Sequence, residues 1–475
     1  MKNKYDAIII GAGIGGLTCG CYLAKAGLKV LIMEQHWKPG GCCTSFERNG
    51  FNFDVGVHYL GSLREEGALY KVLEDLGLLD KIKFITTDTT DRIITPDKTV
   101  FIRRDKNKTK QELIANFPNE KNNINRFFDF ILKNDFFSII SKTKKMSFKK
   151  LLDSFLKDYK LKAILSILLG NIGLPPSKAS ALASIILYKE YIFDGGYYPC
   201  GGAQVLPNIL ASRFKEYGGD LLLSKRVVKI VVKDNKIVGV KSENDEMFFS
   251  KVVISNADAT LTFDTLLDCR TREKDLLRKL KLSPSAFIIY LGIQTELKNV
   301  PKHYTTWFFS TYNIEKCYSE NLNLLKEPDP EYMLCTFSSL VDSSLAPKGK
   351  NSIRIFLGAN FANKSLWESG KDVVYHKVIE KTDYLIPGIK RNIEISEIAT
   401  PYTFYKYTSN AKGAIYGWAA TVDQIDKNIF SSETTFKNLY LTGHWVTKGV
   451  GQSSVSLVAL GGRNTAKLIL RKKLL

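Results

Sequence analysis

The chain has 475 residues, 44% of them hydrophobic, which is enough to bury a large core shared between two lobes and excludes a disordered or fibrous protein. Lys and Arg number 68 against 48 Asp and Glu, a formal charge of +20 that favours anionic surfaces and says nothing about fold. The eight Cys lack metal-ligand spacing, since Cys19 and Cys21 sit inside one predicted helix and Cys42 and Cys43 are adjacent, so no metal site is expected. Met1 to Lys4 leads straight into a strand and no uncharged apolar run is long enough to span a bilayer. A reducing, cytoplasmic setting is expected, with any membrane contact peripheral and on the inner face.

In chain order, Tyr5 to Ile10 reads as a short β-rich strand, Gly11 to Gly16 as a glycine turn, Leu17 to Ala26 as a helix ended by Gly27, and Leu28 to Glu34 as a second strand. A helix from about Ala203 to Tyr217 precedes a meander of Val227 to Val232, Ile237 to Val240 and Val252 to Ile254. The far end repeats the opening plan. Asn438 to Thr442 is a strand, Gly443 to Gly451 is punctuated by glycine and Ser453 to Leu470 is a helix, so the two ends are expected to meet in one domain. Two long insertions interrupt this plan: residues 76–199, basic and mostly helical, and residues 266–420, with strand-like runs at Phe287 to Ile293, Met333 to Phe337 and Ile353 to Leu357.

The opening turn, Gly11-Ala12-Gly13-Ile14-Gly15-Gly16, fits G-x-G-x-x-G between a strand and a helix, and Glu34 ends the second strand about twenty residues on. Gly11 permits the tight turn, Gly13 lets the backbone approach a pyrophosphate, and Gly16 lets helix and strand pack closely. The helix N-terminus then offers free N–H groups and the positive end of its dipole to the phosphates, and Glu34 accepts hydrogen bonds from a ribose. No second strand-bounded motif of this kind occurs, so no dedicated nicotinamide domain is expected and the electron donor or acceptor stays unnamed.

After Glu34 the chain reads Pro39-Gly40-Gly41-Cys42-Cys43-Thr44-Ser45-Phe46 and then Gly50 to Gly61, with Gly56-Val57-His58-Tyr59-Leu60-Gly61. These residues resemble the phytoene desaturase, carotenoid isomerase and retinol saturase family of FAD enzymes, and the G-G-C-C and G-V-H-Y-L-G pieces look closest to retinol saturases. Gly195 to Gly202, Ser255-Asn256-Ala257-Asp258, Pro401 to Phe404 with Gly413 to Trp418, Asn438 to His444 and Gly461 to Asn464 are similar to further family segments, so the likeness spans nearly the whole chain. Two positions depart from it: Cys42 stands where many wider relatives carry Arg, and His444 where carotenoid isomerases often place an acid.

The resemblance implies an α/β fold, a Rossmann-like FAD-binding domain of the glutathione-reductase type with an inserted α+β substrate domain that includes a helical lobe. The expected FAD domain is discontinuous, residues 1–75, 200–265 and 421–475, and the substrate domain is residues 76–199 and 266–420. The cofactor site implied is Gly11, Gly13, Gly15, Gly16, Glu34, Gln35, Gly40, Gly41, Cys42, Cys43, His58, Val228 through its backbone at the adenine, Gly443, His444, Gly451 and Gln452. Cys42 and Cys43 are expected to pack beside the isoalloxazine, because adjacent cysteines rarely reach disulfide geometry without strain.

The activity implied is an FAD-dependent oxidoreductase acting on C=C bonds of a long apolar polyene or isoprenoid, as saturase or desaturase. The flavin carries the redox chemistry and the protein supplies position and polarity. Saturation also needs a proton source, for which His58, Tyr59, Tyr197, Tyr198 and His444 are the candidates. The alternatives are a redox-neutral cis/trans isomerase of a polyene or unsaturated fatty acid using reduced FAD and, from another class, a prenyl- or lipid-binding protein on the same fold. A flavin-dependent amine oxidase is disfavoured by Cys42 and by the likeness around His58.

One segment bears on partners. Between Lys142 and Lys162, Phe148, Leu151, Leu152, Phe155, Leu156 and Tyr159 recur at helical spacing among lysines. Such a stripe either packs on its own lobe or lies on an anionic bilayer, and an apolar substrate favours the bilayer. Nucleic acid is not an expected partner, because the basic residues interleave with large aliphatics and no binding motif is present.

Overall fold

The computed structural model describes residues 3–234, 236–297, 300–425, 430–446 and 454–472. Strand β1 (Lys4–Ile10), helix α1 (Ile14–Lys25) and strand β2 (Val30–Met33) form the predicted opening βαβ unit, with β1 and β2 parallel. On its other edge β1 pairs in parallel with Met247–Ser255, so the last four residues of β1 are buried between neighbours on both sides and on both faces. The sheet continues through the antiparallel meander Lys236–Ser242 and Val227–Lys233, and beyond β2 ends on Asp220–Leu222.

The two ends of the chain meet as the repeated plan requires. Leu439–Leu441 pairs in parallel with Val253, Ile254 and Ser255, and the helix Val455–Arg471 lies along α1. The helices touch backbone to backbone: a Cβ on Gly462 would lie 2.3 Å from the Gly15 carbonyl oxygen.

A second seven-stranded sheet runs in the order Ile393–Ala399, Ser285–Ile293, Asn351–Ala359, Tyr332–Thr336, Thr305–Phe309, Thr89–Ile94, Thr99–Arg103. Every residue of Ser285–Ile293 is buried, because successive side chains serve two cores. Phe287, Ile289 and Leu291 pack with Trp367, Val374 and Val378 of the helix Lys364–Leu385, while Ile288 and Tyr290 belong to the other core, where the Tyr290 ring meets Phe46 and Phe53. That insertion is not wholly helical. It also contributes the hairpin Thr89–Ile94 and Thr99–Arg103, whose strand pattern is masked by Thr90 and Asp91, buried polar residues where a core strand normally carries aliphatics.

The basic stripe of residues 142–162 is not one helix lying on a surface. Ser147 caps Phe148–Phe155, Leu156 ends it, and Asp158 caps a separate helix, Tyr159–Ser166. Phe148, Leu151, Leu152 and Leu156 are in the core with Phe127 and Tyr188, and only Tyr159 of the stripe is exposed. The stripe is therefore consumed by packing and is not available to a bilayer. Among the described residues no helix is long and apolar enough to cross a membrane.

Asp91 ties the second sheet to the loop that carries Tyr59. It is fully buried and accepts hydrogen bonds from the Tyr59 phenol and the Trp307 indole, each at 2.8 Å, and from the Thr305 hydroxyl. The Asp91→Ala substitution leaves those donors unpaired in the interior and lowers stability by about 2–4 kcal/mol, read as a shift in the denaturant midpoint.

Candidate active site

The glycine turn has the geometry that a pyrophosphate needs. Gly11 sits at φ +95°, in the left-handed region, with its N–H held by the Met33 carbonyl at 2.8 Å. Gly16 admits no side chain, since a Cβ there would lie 2.2 Å from the Gly11 carbonyl oxygen. A Cβ on Gly15 would meet the Asn256 Oδ1 at 2.7 Å and the Gly443 Cα at 2.8 Å. No side chain caps the start of α1, which leaves its first N–H groups for an anion. Glu34, buried at the end of β2, accepts from the Ala12 N–H at 2.7 Å and the His36 N–H at 2.9 Å. The acid thus anchors the turn as well as lining the cavity.

The turn opens into a cavity of about 510 Å³. Of the expected cofactor residues, Gly11, Gly13, Gly15, Glu34, Gln35, Gly40, Gly41, Cys42, Cys43, Gly443 and His444 line it. Gly16 serves helix packing instead, and His58 lies behind the wall that Val57 forms. At the far end of the sheet Arg226 and Val227 line the cavity, and the Val228 side chain, 39% exposed, is not on the wall. Gly451 and Gln452 lie outside the described residues. Asn256, in the family-like segment Ser255 to Asp258 but not among the expected cofactor residues, lines the cavity, and its side-chain amide donates to the Gly11 carbonyl at 3.3 Å. The usable signal is its place just past the carboxyl end of a strand parallel to β1. The opposite part of the wall is largely apolar and aromatic, with Phe46, Val55, Val57, Tyr290, Phe404 and Ile415.

The candidate proton donors separate sharply. The Tyr59 phenol donates to Asp91 and the Tyr198 phenol to Asp54, and neither ring lines the cavity. Burial pushes both phenols well above their usual range. Asp54, itself pushed up by burial, also accepts from the Ser45 hydroxyl at 2.7 Å and the Ala203 N–H at 2.9 Å, so its bond to Tyr198 is part of a structural knot. Tyr197 reaches only the Asp194 carbonyl, at 3.5 Å. The Tyr59 and Tyr198 hydroxyls are thus committed to buried Asp partners away from the cavity.

The two imidazoles are neutral. Burial, with the nearby Arg354 charge adding to it, lowers His58 to about 3, and burial lowers His444 to about 4. His58 Nε2 meets the Asn171 side-chain oxygen at 3.1 Å, while His58 Nδ1 and His444 Nε2 have no hydrogen-bond partner among the described residues. His444 is the candidate that reaches the cavity, held there by the Gly413 to Trp418 segment: a Cβ on Gly417 would lie 2.7 Å from its ring. Burial pushes the Cys42 thiol up to about 11 and Cys43 higher still, which keeps both as neutral wall residues.

A profile of flavin containing amine oxidoreductases matches residues 14–470. The chain belongs to that family. It is an FAD-dependent oxidoreductase. Among curated proteins, prolycopene isomerase 1, chloroplastic, of an Oncidium hybrid cultivar is 28% identical over 99% of this chain and 85% of its own length. All-trans-retinol 13,14-reductase of Danio rerio is 25% identical over 93% of this chain and 83% of its own. Among solved structures, an oxidoreductase of Methanosarcina mazei superposes with a TM-score of 0.71 at 19% identity, covering 97% of this chain and all of that one, which supports the fold.

The residues present fit FAD. The Cβ-free turn and the open start of α1 suit the pyrophosphate, Glu34 the ribose, and the Gly40 to Cys43 segment with Gly443 and His444 a flat ring system. Gly16→Val sets a side chain against the Gly11 carbonyl, and the purified protein is expected to lose its visible flavin absorbance, with affinity down at least about tenfold. Acid sensitivity follows from the imidazoles. Both take up a proton below pH 6.5 when unfolded but resist it when folded, so the stability they contribute is present above pH 6.5 and is lost as pH falls toward about 4. Denaturation curves of wild type and His444→Phe across that window are expected to show a shallower acid decline in the variant.

Proposed function

We propose that this flavoenzyme acts on C=C bonds of a long apolar polyene or isoprenoid, as a saturase or desaturase. The observation that carries the reading is the cavity itself, which runs from the dinucleotide turn to a wall of Phe46, Val55, Val57, Tyr290, Phe404 and Ile415. Such a wall excludes water and holds a flat apolar chain by area alone. FAD, when bound, supplies hydride or electron exchange with a carbon of the substrate. The protein's part is to bind and orient: Gly41, Cys42 and Gly443 allow close approach, and His444 offers an uncharged ring at the cavity edge. Relatives named for prolycopene isomerisation and retinol 13,14-reduction support this substrate class. A substrate of that kind dissolves in bilayers, so contact with an anionic membrane surface belongs to the same reading.

A second reading, redox-neutral cis/trans isomerisation using reduced FAD, is favoured by one observation. Of the donors that the sequence points to, Tyr59 and Tyr198 bond buried Asp side chains away from the cavity and burial keeps His444 from carrying an imidazolium proton, and isomerisation needs no net proton. The test is anaerobic dithionite reduction followed by a polyene panel and product mass. A product two hydrogens heavier identifies a saturase, and one two hydrogens lighter with the oxidised enzyme a desaturase. Unchanged mass with shifted retention identifies an isomerase. Failure of every polyene to alter the flavin spectrum or be converted overturns both readings.

A further inference from the structure

The helix Lys121–Lys133 and the helix Phe136–Thr143 meet at a corner that carries large apolar side chains in solvent: Leu132 is 40% exposed, Phe136 47% and Phe137 82%. The corner is rigidly built. Asp135 caps the second helix, accepting from the Ser138 N–H at 3.0 Å and the Ser138 hydroxyl at 2.7 Å, so both phenylalanines stand in the first helical turn and are aimed outward. Ile139, two residues after Phe137, faces the opposite way into the core.

Lysines stand beside the corner. Residues 121–162 contain eleven Lys and Arg against four Asp and no Glu, with Lys133, Lys149, Lys160 and Lys162 held in ion pairs. Lys142, Lys144 and Lys145 are exposed at the far end of the same short helix, and Ser141 and Lys144 follow Phe137 at spacings that share a helix face. Lys142 bonds the Asn134 side chain at 2.8 Å, which draws its charge toward the corner. Exposed aromatics beside clustered lysines match the chemistry of a bilayer surface, where rings enter the acyl boundary and ammonium groups meet anionic headgroups.

We propose that this corner, and not the buried stripe of residues 148–156, docks the protein on an anionic lipid bilayer. It rests on the polyene reading for the cargo that the bilayer supplies. The placement suits that cargo. Phe136–Thr143 packs on Ala181–Leu187, which runs directly into the turn Tyr188–Phe193. Tyr191 of that turn has its ring 5.4 Å from Tyr59 and 6.4 Å from His58, beside Val57 on the cavity wall. One helical layer therefore separates the docking corner from the interior that flanks the cofactor cavity.

The test is co-sedimentation of the FAD-loaded protein with phosphatidylcholine vesicles, with and without phosphatidylglycerol. Wild type is expected to sediment with the anionic vesicles at low salt and less at high salt. Phe136→Ser with Phe137→Ser is expected to cut that partition at least about tenfold while the flavin spectrum is retained, since both side chains are exposed. Lys142→Gln with Lys145→Gln is expected to weaken binding to the anionic vesicles alone. Wild type left in the supernatant at low salt, or undiminished binding of the phenylalanine variant, overturns the proposal. So does a wild-type dimer that the same variant dissolves while vesicles stay unbound, which assigns the corner to a second copy of the chain. Turnover of detergent-dissolved polyene separates the two levels: it is expected to be equal in wild type and the phenylalanine variant, and its absence from wild type strikes the polyene reading instead.

Discussion

The structure depends on backbone approaching backbone around one glycine turn. Gly11 takes the left-handed turn, Gly15 and Gly16 bring β1, α1, Asn256 and Gly443 within distances that leave no room for a Cβ, and Gly462 repeats the arrangement between α1 and the helix Val455–Arg471. Because these contacts join the first residues of the chain to the last described ones, the cofactor cavity is a product of chain closure. Glu34 binds the turn to the end of β2 through two backbone N–H groups, so an acid that lines the cavity also holds the glycine turn in shape. Binding geometry and fold stability thus share the same few atoms.

The second constraint is the burial of carboxylates. Asp91 and Asp54 lie inside the protein and are satisfied by hydroxyl, indole and backbone donors, Tyr59 and Tyr198 among them. Each bond fixes a tyrosine that its sequence neighbourhood had pointed to as a proton donor. The same low-polarity interior strips both histidines of their proton, leaving a site that positions and excludes water more than it exchanges protons. That division agrees with a flavin carrying the redox step.

Much of the architecture was legible. The opening βαβ unit, the meander and the closing strand and helix announce themselves through short aliphatic strands and glycine punctuation, and they fall within a residue or a few of where periodicity puts them. The hairpin Thr89–Ile94 and Thr99–Arg103 was hidden, because Asp91 and Thr90 replace core aliphatics with buried polar groups whose partners come from Tyr59, Trp307 and Ile102. The stripe from Phe148 to Tyr159 was legible as amphipathic but not as to what covers it, since helical spacing is the same whether the apolar face meets Phe127 and Tyr188 or a bilayer.

By itself the sequence determined that a dinucleotide is bound, because only glycines tolerate the turn and only an acid at the end of β2 completes it, and both are local requirements written in adjacent residues. Tertiary structure alone decided which side chains line the cavity: Asn256 and Val227 do, Val228 and the two tyrosines do not. Strand register, burial and the partners of each hydroxyl are set by segments hundreds of residues apart, and no local pattern encodes them.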